Sequence, residues 1–338
     1  MNKVIKLIFF VVSLVLMNSC TKDATLNHRT SSNNLRTANG ILSFNSQDDF
    51  ASDLVLMNSM NQTELLVYQQ EHGYQSYGVL CDSLYYEVAA DSLNTDLVIS
   101  KTNTYSDYLE LVQDSENINE MVLMANFEQS PLYYLMNLDR MYIVDTMVYK
   151  VFKEGVLCAN VSNTDNLKDI DLFSEADGMS GIISIGAGSG TGSGGSGSGG
   201  SGTSHDAGTY RSERATNGNN RTFASISILP ITYAPAPQYT SYEFIRPYKR
   251  TMGIWYWCKR TISYSFNIAI DIHKINGTYN RVPFYKYGTN YAYSIKKNDV
   301  FFTPDLMDVS SIHYAGYDCY GDTPSTNPAS FSIYTYNL

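Results

Sequence analysis

The side chains that usually carry chemistry are thinly spread in this chain. Five histidines stand singly at His28, His72, His205, His273 and His313, and no two have the spacing that places both on one metal ion. His273 and His313 could meet within a β region, with Asp271 or Asp318 beside them, but unconnected surface histidines are the expectation. The GxSxG, HExxH, CxxC and GxxxxGK[ST] patterns are all missing, which removes the common nucleophile, zinc and phosphate-loop chemistries. GxGxxG matches such as Gly190-Gly192-Gly195 follow no apolar strand and open no helix, so they are not a nucleotide loop. Carboxylates are numerous enough to supply a glycosidase pair. The run Asp165, Asp169, Asp171, Glu175 and Asp177 reads instead as a solvated face, because it lacks the Gly and terminal Glu offsets of a calcium loop. The expectation is no catalytic residue, no metal and no cofactor.

Cysteine gives a second possibility. Apart from Cys20, the chain holds Cys81, Cys158, Cys258 and Cys319. Four cysteines in a secreted chain allow three disulfide connectivities. Pairing within each half, Cys81 with Cys158 and Cys258 with Cys319, would respect the midpoint of the chain, and buried free thiols are the alternative.

The most informative binding candidate is Gly253-Ile254-Trp255-Tyr256-Trp257-Cys258. In one continuous strand register, Ile254, Tyr256, Cys258, Ile262, Tyr264, Phe266, Ile268 and Ile270 share a face, which reads as core. Trp255, Trp257, Lys259, Thr261, Ser263 and Ser265 share the other. Two exposed indoles beside Lys259 would make a platform for a sugar ring or an apolar partner. Arg260 interrupts the even face, so a bulge near Cys258 would reverse the register and bury the tryptophans.

These side chains must be positioned by regular elements. Ser46 followed by Asp49 predicts a helix start, with Phe50, Leu54 and Met57 at helical spacing. A helix is predicted over Thr63 to His72, stopped by Gly73, and an amphipathic turn over Tyr105 to Val112. From Met141 the period changes to two. Strands are predicted at Tyr142–Val144 and Met147–Phe152 around a turn at Asp145-Thr146, then at Val156–Ala159. Later segments at Thr222–Leu229, Thr251–Trp257, Thr261–Ile272, Tyr291–Ile295 and Phe331–Tyr336 alternate as strands, with Asn276-Gly277 as a turn. Pro230, Pro235, Pro237 and Pro247 are expected to break what lies between the first two. The Gly- and Ser-rich tract cannot pack a core and reads as a linker.

The fold class is therefore α+β. It comprises a signal segment at 1–19, a tether at 20–40, a small mixed domain at 41–177, a linker at 178–209 and a Tyr-rich, sandwich-like all-β domain at 210–338.

Composition sets limits. The chain has 338 residues, a formal net charge of −10 and 28 Tyr, so general disorder is excluded. An acidic chain repels phosphate, so no nucleic-acid partner is expected. The charge is also divided. Residues 21–178 carry 8 Lys and Arg against 24 Asp and Glu, whereas residues 203–338 carry 13 against 9. Such asymmetry favours docking of one half on the other, or separate partners.

The N-terminus carries Lys3 and Lys6 before an apolar run from Leu7 to Met17. As a helix this run rises only about 16 Å, roughly half a bilayer core. It reads as a secretory signal. Leu16-Met17-Asn18-Ser19-Cys20 resembles the lipobox of bacterial lipoproteins, in the relaxed form that tolerates Asn18. That resemblance implies lipidation of Cys20, a bacterial outer-membrane location and stable anchoring by more than one acyl chain. An ordinary secretory signal with an incidental Cys is the alternative. Lys22-Asp23 resembles the start of a surface-export tag.

Together with the stretch Phe44–Tyr77, ending in Glu71-His72-Gly73-Tyr74-Gln75-Ser76, and with the segment Pro131–Val156, the lipobox resembles uncharacterised lipoproteins of gut Bacteroidetes, a likeness of lineage that carries no assigned activity. Asp82-Ser83-Leu84, Asp91-Ser92-Leu93 and Asp145-Thr146-Met147 resemble the O-glycosylation acceptor of that lineage, which implies possible modification at Ser83, Ser92 and Thr146. The function expected is a lipid-anchored envelope protein that binds a glycan or a protein partner through its C-terminal β region and is not an enzyme. A carboxylate-dependent glycoside hydrolase and a structural, fimbria-like component are the alternatives.

Overall fold

Local capping chemistry starts the first half as the sequence predicts. In the computed structural model, which describes residues 36–115, 117–176, 179–186, 211–232, 238–274, 279–302, 309–322 and 329–333, strands β1 (Arg36–Ala38) and β2 (Ile41–Phe44) form a hairpin. Its turn residues Asn39 and Gly40 both have positive φ, as a tight two-residue turn requires. Ser46 then caps helix α1 (Gln47–Ser59), its hydroxyl accepting the Asp49 N–H at 3.1 Å. Phe50, Leu54 and Met57 form its buried stripe. Helix α2 (Gln62–His72) starts on a reciprocal Asn61–Glu64 capping box and stops at Gly73, whose φ is 64°.

Helix α3 (Tyr77–Ala89) follows, capped by Ser76, and then α4 (Thr95–Thr104). The sequence reading missed α3, because its composition shows no clean polar face. A Cβ on Gly78 would lie 2.5 Å from the Tyr133 carbonyl oxygen, so glycine is what lets α3 press against the 131–136 segment.

The amphipathic turn expected over Tyr105 to Val112 is corrected. Helix α4 ends at Thr104, Tyr105 to Tyr108 form a hydrogen-bonded turn, and Leu109 opens strand β3 (Leu109–Gln113), antiparallel to β4 (Met121–Ala125). A few residues cannot sustain an isolated helix, whereas a strand partner lies eight residues away. Strands β5 (Met141–Val144), β6 (Met147–Val151) and β7 (Gly155–Asn160) form the expected meander. Asp145 takes positive φ at the first turn.

The short helix α5 (Thr164–Lys168) leads toward β8 (Ile182–Gly186), which pairs with β7. The expected linker at 178–209 is thus corrected at its start, where the isoleucines of Ile182-Ile183-Ser184-Ile185 extend the sheet. These strands form a six-stranded sheet in the order β1-β2-β5-β6-β7-β8.

The second half is all strand: β9 (Arg211–Asn217), β10 (Asn220–Thr232), β11 (Gln238–Thr251), β12 (Ile254–Trp257), β13 (Arg260–Lys274), β14 (Tyr279–Ala292), β15 (Ile295–Phe302), β16 (Val309–Asp322) and β17 (Ala329–Ile333). Strand β11 occupies much of the segment that proline was expected to break. Pro247 is tolerated because it falls where β15 has ended and β12 begins. Its carbonyl accepts the Cys258 N–H at 3.0 Å. The missing donor therefore points into the same interruption of the ladder.

Strand β12 pairs in parallel with β4 of the first half, giving a seven-stranded sheet in which β3-β4-β12-β11-β10-β9 run side by side and β15 joins β11. The remaining strands form a four-stranded sheet, β14-β13-β16-β17. The architecture is mixed α+β. Residues from Asn34 onward cluster as one compact unit, and one core runs from Leu42 and Phe50 through Tyr85 and Leu123 to Phe244 and Trp257. The division into separable domains at 41–177 and 210–338 is corrected accordingly, because the two segments share a sheet and a core. A second core lies between the six-stranded sheet and the segment around Leu167 and Ile170.

Cys20, the signal segment, residues 20–35 of the tether, His28, His205, Asn276-Gly277 and the Gly/Ser tract proper lie outside the described residues. The last residues of the expected tether at 20–40 are corrected, because Arg36–Ala38 pair with β2 as a strand. No helix among the described residues is long and apolar enough to cross a membrane.

Candidate functional site

The tryptophan platform is the first candidate, and the structure overturns it. Trp255 is 1% exposed and Trp257 6%, and all four residues of β12 are buried. Trp257 stacks on Tyr85 of α3 at 3.5 Å with its plane tilted by only 6°, while the Arg246 guanidinium lies 3.8 Å above its ring. Its backbone N–H donates to the Tyr85 hydroxyl at 2.7 Å. Trp255 donates from Nε1 to Glu120 at 2.7 Å, with Arg221 4.1 Å from its ring. Alternation was read as one core face and one wet face. A central strand covered on both sides buries both sets. The single register also ends at Cys258 and Lys259, where the chain leaves one sheet for the other, and Lys259 is exposed.

What surrounds the tryptophans is the junction of the two oppositely charged halves. Asp114 binds Arg221 at 2.6 Å and Arg214 at 3.0 Å, Glu120 binds Arg250, and Glu128 binds Arg246 at 2.7 Å. Each pair sets an acid from the first half against an arginine from the second. The charge asymmetry is thus spent on internal docking. Deeper in the same region, Asp82 accepts from the Tyr133 and Tyr134 hydroxyls at 2.8 and 3.0 Å. Buried Lys296 lies 4.5 and 4.0 Å from those two rings, its Nζ without a hydrogen bond among the described residues.

Cys81, Cys158 and Cys258 are free thiols, which corrects the pairings proposed with Cys158 and with Cys319. Cys81 sits in α3 and Cys158 in β7, both buried, and burial pushes both thiols up, Cys158 to about 11. Cys258 accepts from Arg260 Nε at 3.3 Å. The ladder puts Cys319 opposite Phe266 on β16.

The acceptor triplets fare unequally. Ser83 is half-buried and donates to the Val79 carbonyl within α3, and Ser92 is half-buried in the turn after it. Thr146 is exposed at the β5–β6 turn.

Among histidines, His72 packs on Tyr68 at 4.2 Å. Strand register puts His313 opposite Asp271, with His273 two residues further along β13. No metal-holding group of His, Cys, Asp and Glu occurs among the described residues. Glu175 of the acidic run accepts the Asp171 and Leu172 N–H groups.

Two other surfaces emerge. The first is a tyrosine row on β14, an edge strand of the four-stranded sheet. Tyr285, Tyr287 and Tyr291 are 62%, 72% and 65% exposed and, at even spacing, share one face. Tyr285 and Tyr287 lie 5.4 Å apart between ring centres. Opposite Tyr285, Tyr287 and Tyr291 on β13 stand Asn267, Ser265 and Thr261, while Ser263 stands opposite Thr289, their hydroxyls 3.0 Å apart. Lys259 Nζ sits 4.9 Å from the Tyr291 ring. The sequence reading missed this row, although Tyr285-Lys286-Tyr287-Gly288-Thr289-Asn290-Tyr291 carries its period of two openly.

The second is an open cleft of about 970 Å³ beside the six-stranded sheet, lined by Tyr108, Asn126, Phe127, Arg140, Lys150 and Phe152 among others. Asp107, Asp139, Glu154 and Asp171 also reach it, so the first half's acids do gather, though Asp139 is paired with Lys168 at 3.0 Å.

No protein-family model and no curated protein matches the chain. Among solved structures, a DUF4848 family protein from Bacteroides thetaiotaomicron aligns over 88% of this chain and 100% of its own, at 9% identity and a TM-score of 0.29. A structural genomics target, SoR45, aligns over 37% of this chain and 95% of its own, at 9% identity and a TM-score of 0.17. Scores this low carry no argument about fold or activity.

Proposed function

We propose that the chain is a lipid-anchored envelope protein that binds a glycan on the tyrosine face of its C-terminal β region. The observation that carries this reading is the exposure of Tyr285, Tyr287 and Tyr291 on one edge strand. Among the described residues many other rings are buried, Tyr85, Tyr133, Tyr142, Tyr149 and Tyr242 in the interior. An edge strand with unprotected aromatics invites aggregation, so such a row is retained where it has a ligand. Tyrosine offers a flat apolar face for a sugar ring and a hydroxyl for its rim. The flanking Thr261, Ser263, Ser265 and Thr289 suit hydroxyl-rich ligands, and Lys259 supplies a cation at one end.

A glycan array probed with the protein tests the reading. The double substitution Tyr285→Ala/Tyr287→Ala is expected to weaken binding to any glycan hit by about 1–3 kcal/mol, within the range of aromatic contacts, while leaving the urea midpoint nearly unchanged because the rings are exposed. Binding of protein partners with no glycan hit, or a glycan hit indifferent to the double substitution, would refute it.

The anchor rests on Ser19-Cys20 after the apolar run. Cys20→Ala is expected to move the protein from the membrane fraction to the soluble one. Unchanged membrane retention and unchanged detergent partitioning would remove the lipid from the proposal.

A further inference from the structure

The cleft beside the six-stranded sheet is built in a way that folding alone does not require. Phe127 and Arg140 both line it, and both have φ of 62°, a conformation that bulky L-residues avoid. Such strain persists only where surroundings over-determine it, and it gathers at functional sites. The constraints here are identifiable. Arg140 N–H donates to the Asn137 carbonyl at 2.8 Å, and its own carbonyl accepts from Val151 at 2.9 Å. On either side, Asn137 Oδ1 accepts the N–H groups of Asp139 and Met141 at 3.1 and 2.8 Å. Phe127 is fixed from the other direction, because the next residue, Glu128, is held in the buried pair with Arg246.

The side chains held this way are poised and incomplete. The Arg140 guanidinium lies 5.1 Å from the Phe152 ring and 5.9 Å from the Phe127 ring. Among the described residues it has no hydrogen-bond or ion-pair partner, although four carboxylates reach the same cleft. Asp139, its chain neighbour, turns to Lys168. Lys150, on the same wall, spends its ammonium on the Lys168 and Ile170 carbonyls at 2.6 and 2.5 Å. Asn126 donates to the Ser106 carbonyl, but its buried Oδ1 has no partner among the described residues. A planar fork backed by aromatic faces is the arrangement that recognises a carboxylate bidentately, and an orphaned amide oxygen calls for a donor.

We propose that this cleft binds a small hydroxy acid, its carboxylate on Arg140 and its hydroxyls against the polar wall that Ser106 and Asn126 help to line. The site is separate from the tyrosine face and does not depend on it. Two sources supply this chemistry: a uronic acid sugar and a simple α-hydroxy acid.

Titration calorimetry on the full chain, with glucuronate, lactate, glucose and sulfate as probes, decides the matter. Saturable binding of glucuronate or lactate, with none of glucose or sulfate, is expected, and whichever acid binds names the source. Arg140→Gly should weaken the acid by at least ~tenfold while the urea midpoint stays equal or rises, because glycine accepts the positive φ without strain. Arg140→Lys, which keeps the charge but not the fork, should weaken it too. The proposal falls if neither acid binds, if sulfate binds as well as the acids, if Arg140→Gly binds unchanged, or if Arg140→Gly lowers the midpoint and so shows a structural role.

Discussion

Replacing Arg246 with Met is expected to lower the stability of the whole compact unit by about 3–5 kcal/mol, the usual effect of stranding one member of a buried ion pair. Arg246 and Glu128 are each almost wholly buried and meet at 2.7 Å. Burial is the largest single influence and would depress the guanidinium, but Glu128 together with Tyr248, Asp82 and Tyr134 outweighs it and keeps Arg246 charged. Glu128 also accepts from the Ala125 N–H at 3.1 Å and the Tyr248 hydroxyl at 3.3 Å. Removing the arginine strips this buried carboxylate of its hydrogen-bonded cation, and takes away the cation that covers Trp257.

The double substitution Arg246→Met/Glu128→Gln should recover part of the loss, since no charge is then stranded. Urea unfolding followed by tryptophan fluorescence and by far-UV circular dichroism checks both claims. Because the pair links residues 118 apart in sequence, the two probes should report one transition in the unaltered protein. Separate transitions, or a single variant within about 1 kcal/mol of the parent, would contradict an arginine that ties the halves together.

Lys296→Met should act in the opposite direction and with a marked pH dependence. Burial pushes the Lys296 amine down to about 7, against the pull of the Asp82 carboxylate, with Arg246 lowering it further and Glu128 raising it. In the unfolded chain the same amine titrates near ~10.4. Between these values the unfolded state holds a proton that the folded state lacks, so stability rises with pH across that window. Below pH 7 the protein bears the full cost of a buried ammonium, roughly 5 kcal/mol at ~1.4 kcal/mol per pH unit. Contact with the faces of Tyr133 and Tyr134 offsets about 1–2 kcal/mol of this.

Methionine removes both terms. The variant should therefore be about 3–4 kcal/mol more stable than the parent at pH 6, with the difference shrinking toward pH 10. Chemical denaturation at several pH values measures it. A variant less stable at pH 6, or a difference that ignores pH, would show that the amine has a partner in solution.

Much of the local structure was legible in the sequence because its causes are local. Ser46 with Asp49, Gly73 after His72, and Asp145-Thr146 between two alternating runs each act within a few residues, and each stands where the sequence placed it. On β13, Ile262, Tyr264 and Phe266 are buried while Thr261 is exposed, as their alternation required. The acidic and basic halves were visible by counting, and their mutual attraction is realised at Asp114, Glu120 and Glu128.

Alternation states which residues share a face; it does not state what covers that face. Trp255 and Trp257 lie on the polar side of their own strand by pattern, yet Tyr85, Glu120, Arg221 and Arg246 close over them from distant parts of the chain. Tyr285, Tyr287 and Tyr291 are as aromatic as any core residue and remain open because no described residue closes over their face of β14. Arg140 looks in sequence like one cation in a polar turn, and only the hydrogen bonds of Asn137 and Val151 reveal the strained backbone that aims it. Short-range sterics and capping fixed the elements from the sequence alone. Solvent exposure, charge pairing and side-chain convergence depend on contacts made across a hundred residues or more, and those only the tertiary structure decided.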